Sequence, residues 1–228
     1  MQKFIQLLQV NDSMFPIGGF TQSYGLETYV VRNIVKDDAS ALEYAASMIQ
    51  NSTFYNDAAF LNKTWHLAGN KNYWSQPVKL DNLVTALKAP MEIRTASQKL
   101  GIRFLKLVNE MYSYSRPAKY QEGIQNQTVF GHYAIAYGLF CRQAGIERTE
   151  MLAAFYYNTL NAIVTNCAKA VPISQVSGQK IISKLSPLIE ELVSKQDELP
   201  EEHIGLCCIG QEISCMQHEK LYTRIYIS

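Results

Sequence analysis

MEIRTASQKLGIRFLKLVNEM, residues Met91 to Met111, sets apolar side chains at Ile93, Ala96, Leu100, Phe104, Leu107, Val108 and Met111. Steps of three and four between them draw one face of a helix about six turns long, where a strand would alternate. Pro90 resets the backbone just before it. Gly101 lies inside the stripe, and glycine in a helix interior costs about 1 kcal/mol relative to alanine. A glycine tolerated there points to another helix packed closely against it.

The same periodicity extends in both directions. Downstream, Phe130 to Gln143 reads as a helix through Ala134, Ile135, Tyr137, Gly138, Leu139 and Cys141, with Gly131 and Gly138 on nearly one face. Thr149 is a plausible N-cap for a stripe through Leu152, Phe155, Tyr156, Leu160, Ile163, Val164 and Cys167. Residues 174–194 form the last clear helix, in which Ser186-Pro187 marks a possible bend. Upstream, helical spacing recurs through Leu80 to Leu87, Ala58 to Ala68, Ala41 to Ile49 and Phe4 to Val10. Asn51-Ser52-Thr53 either separates two helices or interrupts one. Tyr112 to Gln127 reads as a connection. Period-2 alternation is confined to Leu221–Ile227, a strand only if taken in isolation. The expectation is an all-α single domain, a bundle of about eight to ten helices over residues 1–195. Residues 196–228 follow as a solvated linker and a mobile C-terminal tail, rich in charge at Asp197 to Glu202.

The totals narrow the function. In 228 residues, 21 basic and 20 acidic side chains leave a net charge of +1, with no basic run to attract nucleic acid. No apolar run approaches the roughly 18 residues of a membrane span. Five cysteines and an N-terminus without a signal-peptide pattern fit a reducing cytoplasm.

Before the first long helix comes DSMFPIGGFTQSYGLE, Asp12 to Glu27. Pro16 fixes its own φ and pushes Phe15 out of the helical region, while Gly18-Gly19 permits positive φ. This makes a glycine-hinged elbow, with Ser23 a candidate N-cap for the segment carrying Tyr24, Leu26 and Glu27. Alone, such an elbow is a structural corner.

Enzyme motifs are missing: there is no GxxxxGK[ST], HExxH, GxSxG or paired CxxC. Cys207, Cys208, Cys215 and His218 fall within twelve residues, as thiolate and imidazole ligands for zinc or nickel would. Their spacing matches no usual zinc pattern, and small buried hydrophobes are the plainer reading, so no metal site is assigned. A rival enzyme reading places a small-molecule or metal-dependent site near Gly18-Gly19 with His132 or His218 as base. A purely structural homodimer is a third.

The motifs taken together are more specific. The order Leu7-Leu8, Asp12-Ser13, Pro16-x-Gly18-Gly19-Phe20, Ser23, Gly25-Leu26-Glu27 closely resembles the opening signature of the UreF family of urease accessory proteins. Glu92-Ile93-Arg94-x-Ala96-Ser97-x-x-x-Gly101-x-Arg103 resembles the second family segment, and Gly131-His132-Tyr133-x-x-Ala136-x-Gly138 the third. Lys169 followed by Pro172-x-x-Gln175-x-x-Gly178-Gln179 is similar to a fourth, with Ile173-Ser174 in place of the usual Leu-Gly. His218-Glu219-x-Leu221-Tyr222-x-Arg224-Ile225-Tyr226-x-Ser228 resembles the terminal segment, with Ile-Tyr for Leu-Phe. The five blocks run in order along essentially the whole chain.

That resemblance implies a non-enzymatic, helical, dimer-forming cytoplasmic protein. It would join a UreD/UreH-type partner through its C-terminal segment, recruit the UreG GTPase through its body, and serve GTP-dependent nickel insertion into apo-urease. No tightly bound cofactor is expected, the nickel being handled by the complex. Pro16, Gly18, Gly19, Phe20, Glu27 and Lys169 are then expected at the GTPase-facing or dimer surface. Gln175 and Gln179 are expected either at a partner or on loop backbone, and His218, Glu219, Tyr222, Arg224 and Tyr226 in a tail that orders on its partner.

Overall fold

The computed structural model describes residues 1–19, 22–70, 73–222 and 224. The stripe that opened the reading is helix α6, and it buries Ala96, Ser97, Leu100, Gly101, Phe104, Leu105 and Val108. In chain order the helices are α1 (Gln2–Asn11), α2 (Leu26–Val31), α3 (Asp38–Ser47), α4 (Asp57–Leu67), α5 (Ser75–Leu87), α6 (Met91–Met111) and α7 (Ser115–Gln125). They continue with α8 (Tyr133–Gln143), α9 (Arg148–Ala170), α10 (Gln175–Lys195) and α11 (Ile209–His218). No strand occurs among the described residues, so the all-α, single-domain expectation holds. None of these helices is long and apolar enough to cross a membrane.

Helix α8 is the centre of the bundle because YAIAYGLFCRQ is apolar on every side. All residues from Ala134 to Cys141 are buried, with α4 against one flank and α6 against another. Gly138 admits α4: a Cβ there would stand 3.1 Å from Thr64. Phe104 of α6 gathers Tyr133, Tyr137, Phe140 and Phe15 with ring centroids 5.5–6.0 Å apart, mostly edge-on, and so ties the elbow to the core.

Several local expectations change for stated reasons. The close neighbour of Gly101 is the extended backbone before α8, since a Cβ at Gly101 would lie 2.0 Å from the Gly131 carbonyl oxygen. Helix α8 begins at Tyr133, because the N–H groups of Phe130, Gly131 and His132 donate to the buried Asp81 carboxylate at 2.5, 3.1 and 3.2 Å. Gly131, at φ +89°, therefore does not share a helix face with Gly138. Ser23 does not cap α2; the chain passes through two left-handed residues, Tyr24 at φ +51° and Gly25 at +86°, and Gly25 is the N-cap. Helix α9 starts at Arg148, where Glu147 and Glu150 form a reciprocal cap, rather than after Thr149. The supposed connection before Gln127 contains α7, whose Pro117 sits in the first turn, where a missing N–H is harmless. Asn51-Ser52-Thr53 interrupts one helical run: α3 passes into a π-turn over Met48–Thr53 and on toward α4.

Eleven α-helices thus stand among the described residues, where eight to ten were expected. The segment read as a solvated linker is instead strapped to the body. Asp197 accepts from Asn62 at 2.9 Å and pairs with His66 at 3.1 Å and Arg148 at 3.2 Å, and Lys63 pairs with Glu201. Beyond it α11 folds against α2 and α6.

Candidate functional site

Four of the five family-like segments, scattered in sequence, converge in space, and the Lys169–Gln179 segment stands apart from them. Gly18, at φ +81°, sits so close to α6 that a Cβ would come 2.5 Å from the Arg103 guanidinium, which donates to the Ile17 carbonyl at 3.2 Å. Asn166 of α9 donates to the Gln22 carbonyl at 2.7 Å. Gly25 meets α11: a Cβ there would lie 2.9 Å from the Cys215 sulfur, so both its φ and the space demand glycine. Thr28 donates to the Ser214 carbonyl at 2.8 Å. The opening segment therefore touches both the second and the last.

A chain of charges lies at that junction. The His218 side chain is fully buried, with Nε2 2.7 Å from Glu27 Oε2 and Nδ1 2.7 Å from Glu92 Oε2. Arg224 donates to the other Glu92 oxygen at 2.8 Å. Each ring nitrogen of His218 thus faces a carboxylate, and the imidazole is held from both sides. Breaking such a buried pair by removing one member typically costs 3–5 kcal/mol, because the other charge is left uncompensated. Glu27 and His218, expected at partner surfaces, thus serve an internal joint between α2, α6 and α11. Glu92 was not singled out as a site residue, and with His218 126 positions further along the chain no local spacing could reveal the contact.

Helix α11 is amphipathic in the reverse sense. Its inward face is Gln211, Ser214, Cys215 and His218, whereas Ile209, Ile213 and Met216 are 67%, 47% and 43% exposed. Water-soluble helices ordinarily turn the apolar stripe inward. Tyr222, just beyond, is wholly exposed. Pro16 is exposed, as are Lys169 at the end of α9 and Gln175 and Gln179 in the first turns of α10. Gly18, Gly19 and Glu219 are half-buried. Phe20 and Tyr226 lie outside the described residues.

A pocket of about 160 Å³, partly open to solvent, forms a chamber between the elbow, the π-turn, α9 and the N-terminal end of α11. Gly19, Tyr24, Phe15 and Tyr133 line it, together with the Lys88–Asp57 ion pair at 3.0 Å. Burial pushes the Tyr24 and Tyr133 phenols well above their ordinary values.

The histidines are ill placed for base catalysis. His132 is fully buried between hydroxyls, Nδ1 3.0 Å from Ser97 and Nε2 2.8 Å from Thr85, and burial brings its pKa down to about 4. A base that weak takes few protons at neutral pH. Both nitrogens of His218 are engaged by carboxylates. Among the described residues no three His, Cys, Asp or Glu side chains are arranged to hold a metal ion. Cys215 is buried, and desolvation with the nearby Glu92 and Glu212 charges raises its thiol to about 12. Cys207 is exposed, and its thiol is raised to about 11 by desolvation and Glu212.

The family model for UreF matches residues 35–186. Urease accessory protein UreF of Haemophilus influenzae strain PittGG is 34% identical over 222 residues, covering 97% of this chain and 94% of that protein. The protein of the same name from Actinobacillus pleuropneumoniae serotype 5b is 33% identical over 222 residues, 97% of each chain. That of Bacillus sp. strain TB-90 is 30% identical over 228 residues, the full length of both. Motifs that meet around α6 and α11, and likeness sustained from end to end, make this chain a member of the UreF family of urease accessory proteins.

Proposed function

We propose that the chain is a non-enzymatic adaptor of urease maturation. It joins a UreD/UreH-type accessory protein through α11 and the residues beyond, and its helical body recruits the UreG GTPase. The assembly inserts nickel into apo-urease at the expense of GTP. Nickel is cargo of the complex, and the chain holds no resident cofactor. It works in the cytoplasm as a homodimer.

One observation carries the reading: α11 presents Ile209, Ile213 and Met216 outward while its polar face is turned in. Exposed apolar side chains in register on one helix are the anchors by which a helix seats in a partner's groove. Pro16, Lys169, Gln175 and Gln179 remain accessible for the GTPase-facing or dimer surface.

The test is co-purification from cells making this chain with the UreD/UreH-type protein and UreG. A charge at the centre of an apolar contact loses several kcal/mol of desolvation. Ile213→Asp with Met216→Asp is therefore expected to weaken the UreD/UreH complex by about 100-fold or more, roughly 2.7 kcal/mol, with the circular-dichroism spectrum unchanged. Undiminished co-purification of the double variant refutes the assignment to α11.

A further inference from the structure

The chain leading into α11 is fastened to the body up to a definite point. Gly205 N–H donates to the Tyr55 carbonyl at 2.6 Å, and Asn56 Nδ2 donates to the Leu206 carbonyl at 3.0 Å. Gly205 is at φ +83°, a conformation that favours glycine, with the Leu87 side chain packed over it. Cys207 follows in irregular structure, and Cys208 is the N-cap of α11. At its far end α11 is held by His218, set between Glu27 and Glu92.

Between these two ends the attachment is polar. Gln211, Ser214 and Cys215 face inward, and the Thr28 hydroxyl donates to the Ser214 carbonyl, a bond that one to water can replace when the helix leaves, whereas buried apolar area cannot be compensated in that way. Elements held by few apolar contacts open at free energies below that of global unfolding. Behind α11 lies the chamber, to whose wall Cys208, Gln211 and Glu212 contribute, along with Lys88 and Asp57 of the body.

We propose that α11 is a hinged lid over one side of this pocket. It pivots at Cys207–Cys208, is latched by His218 between Glu27 and Glu92, and opens while α1 to α10 stay folded. Opening uncovers the chamber wall beside the Lys88–Asp57 pair and carries Arg224 away from Glu92. The lid is a property of the isolated chain and stands whether or not α11 is the docking element for a partner.

The cysteines supply the probe. Cys215 lies on the inner face of the lid at 2% exposure, and Cys141 lies at 0% within α8. Native full-length protein is treated with excess iodoacetamide, and each site is followed over time by peptide mass spectrometry. Cys207 reacts first. Cys215 is expected to react at least about tenfold faster than Cys141, because it needs the lid alone to open. His218→Gln and Glu92→Gln are each expected to raise the Cys215 rate a further ~fivefold or more without moving that of Cys141. Reaction of Cys215 in step with Cys141 in the wild-type protein overturns the lid. An unchanged Cys215 rate in both variants overturns the latch.

Discussion

Gly101→Ala sets two physical effects against each other, and the structure decides between them. At an exposed interior position of α6 the change would stabilise the helix by about 1 kcal/mol. Here the new Cβ would stand 2.0 Å from the Gly131 carbonyl oxygen, 2.9 Å from the His132 carbonyl carbon and 2.9 Å from Tyr133 N. A carbon and a carbonyl oxygen rarely approach closer than about 3.3 Å, so more than an ångström of separation must be found. Every atom in the way is backbone, and that backbone is pinned by its hydrogen bonds to Asp81. Overpacking of this kind costs 1–3 kcal/mol, and loss of one Asp81 bond adds about 1–3 kcal/mol for the stranded N–H. The net expectation is a destabilisation of about 3 kcal/mol, which at a urea m-value of about 1–3 kcal/mol/M lowers the unfolding midpoint by at least ~1 M. Equilibrium urea unfolding followed by circular dichroism measures it. A midpoint that rises, or falls by less than ~0.2 M, refutes the reasoning, since propensity would then outweigh contact.

Two further outcomes follow from the same polar core. His132 has a folded-state pKa of about 4, below the 6.5 of an ordinary histidine, so the unfolded chain binds the extra proton. Its contribution is complete above pH 6.5 and is lost as pH falls toward 4, to a total of roughly 3 kcal/mol. Unfolding measured at intervals across that window should show the wild-type protein losing its advantage over His132→Gln; parallel curves would contradict the burial argument. Asp81→Ala strands three backbone N–H groups and the Tyr120 hydroxyl, which also donates to Asp81. A loss of at least ~4 kcal/mol is expected in the same urea experiment, and a loss below ~1 kcal/mol would show that water reaches those donors.

The periodic part of the fold was legible because burial on one side repeats every turn. Helices α6, α9 and α10 are long enough for that repetition to stand above composition. Helix α7 is not: of SRPAKYQEGIQ only Pro117, Tyr120 and Gly123 are buried, and a mostly polar eleven-residue helix resembles a loop. Helix α11 was read as part of a mobile tail for a different reason: its stripe faces water, and sequence gives the period of a stripe without its direction. Gly101 was recognised as a point of close approach, although the neighbour proved to be extended chain. The site was less legible still. The five motifs could be ordered, but that Glu27, Glu92 and His218 form one joint depends on the path of nearly two hundred intervening residues. Local chemistry places a carboxylate at a helix start. It does not say which imidazole will meet it.

The π-turn at Met48–Thr53 has a consequence for anyone altering the chain. Each of its hydrogen bonds spans one residue more than an α-helical bond, so the run from Asp38 to Thr53 carries an extra residue wound into the helix, and Asn56, outside helical geometry at φ −111° and ψ −97°, then opens α4. One residue corresponds to about 100° of rotation. Removing a single amino acid from this turn would shift α4 against α3 by about that angle, and so disturb the seat of Leu61 and Thr64 against Gly138. Homologues that differ in length here must therefore differ elsewhere as well, and a gap placed inside this turn in an alignment makes a claim about the rotational phase of α4.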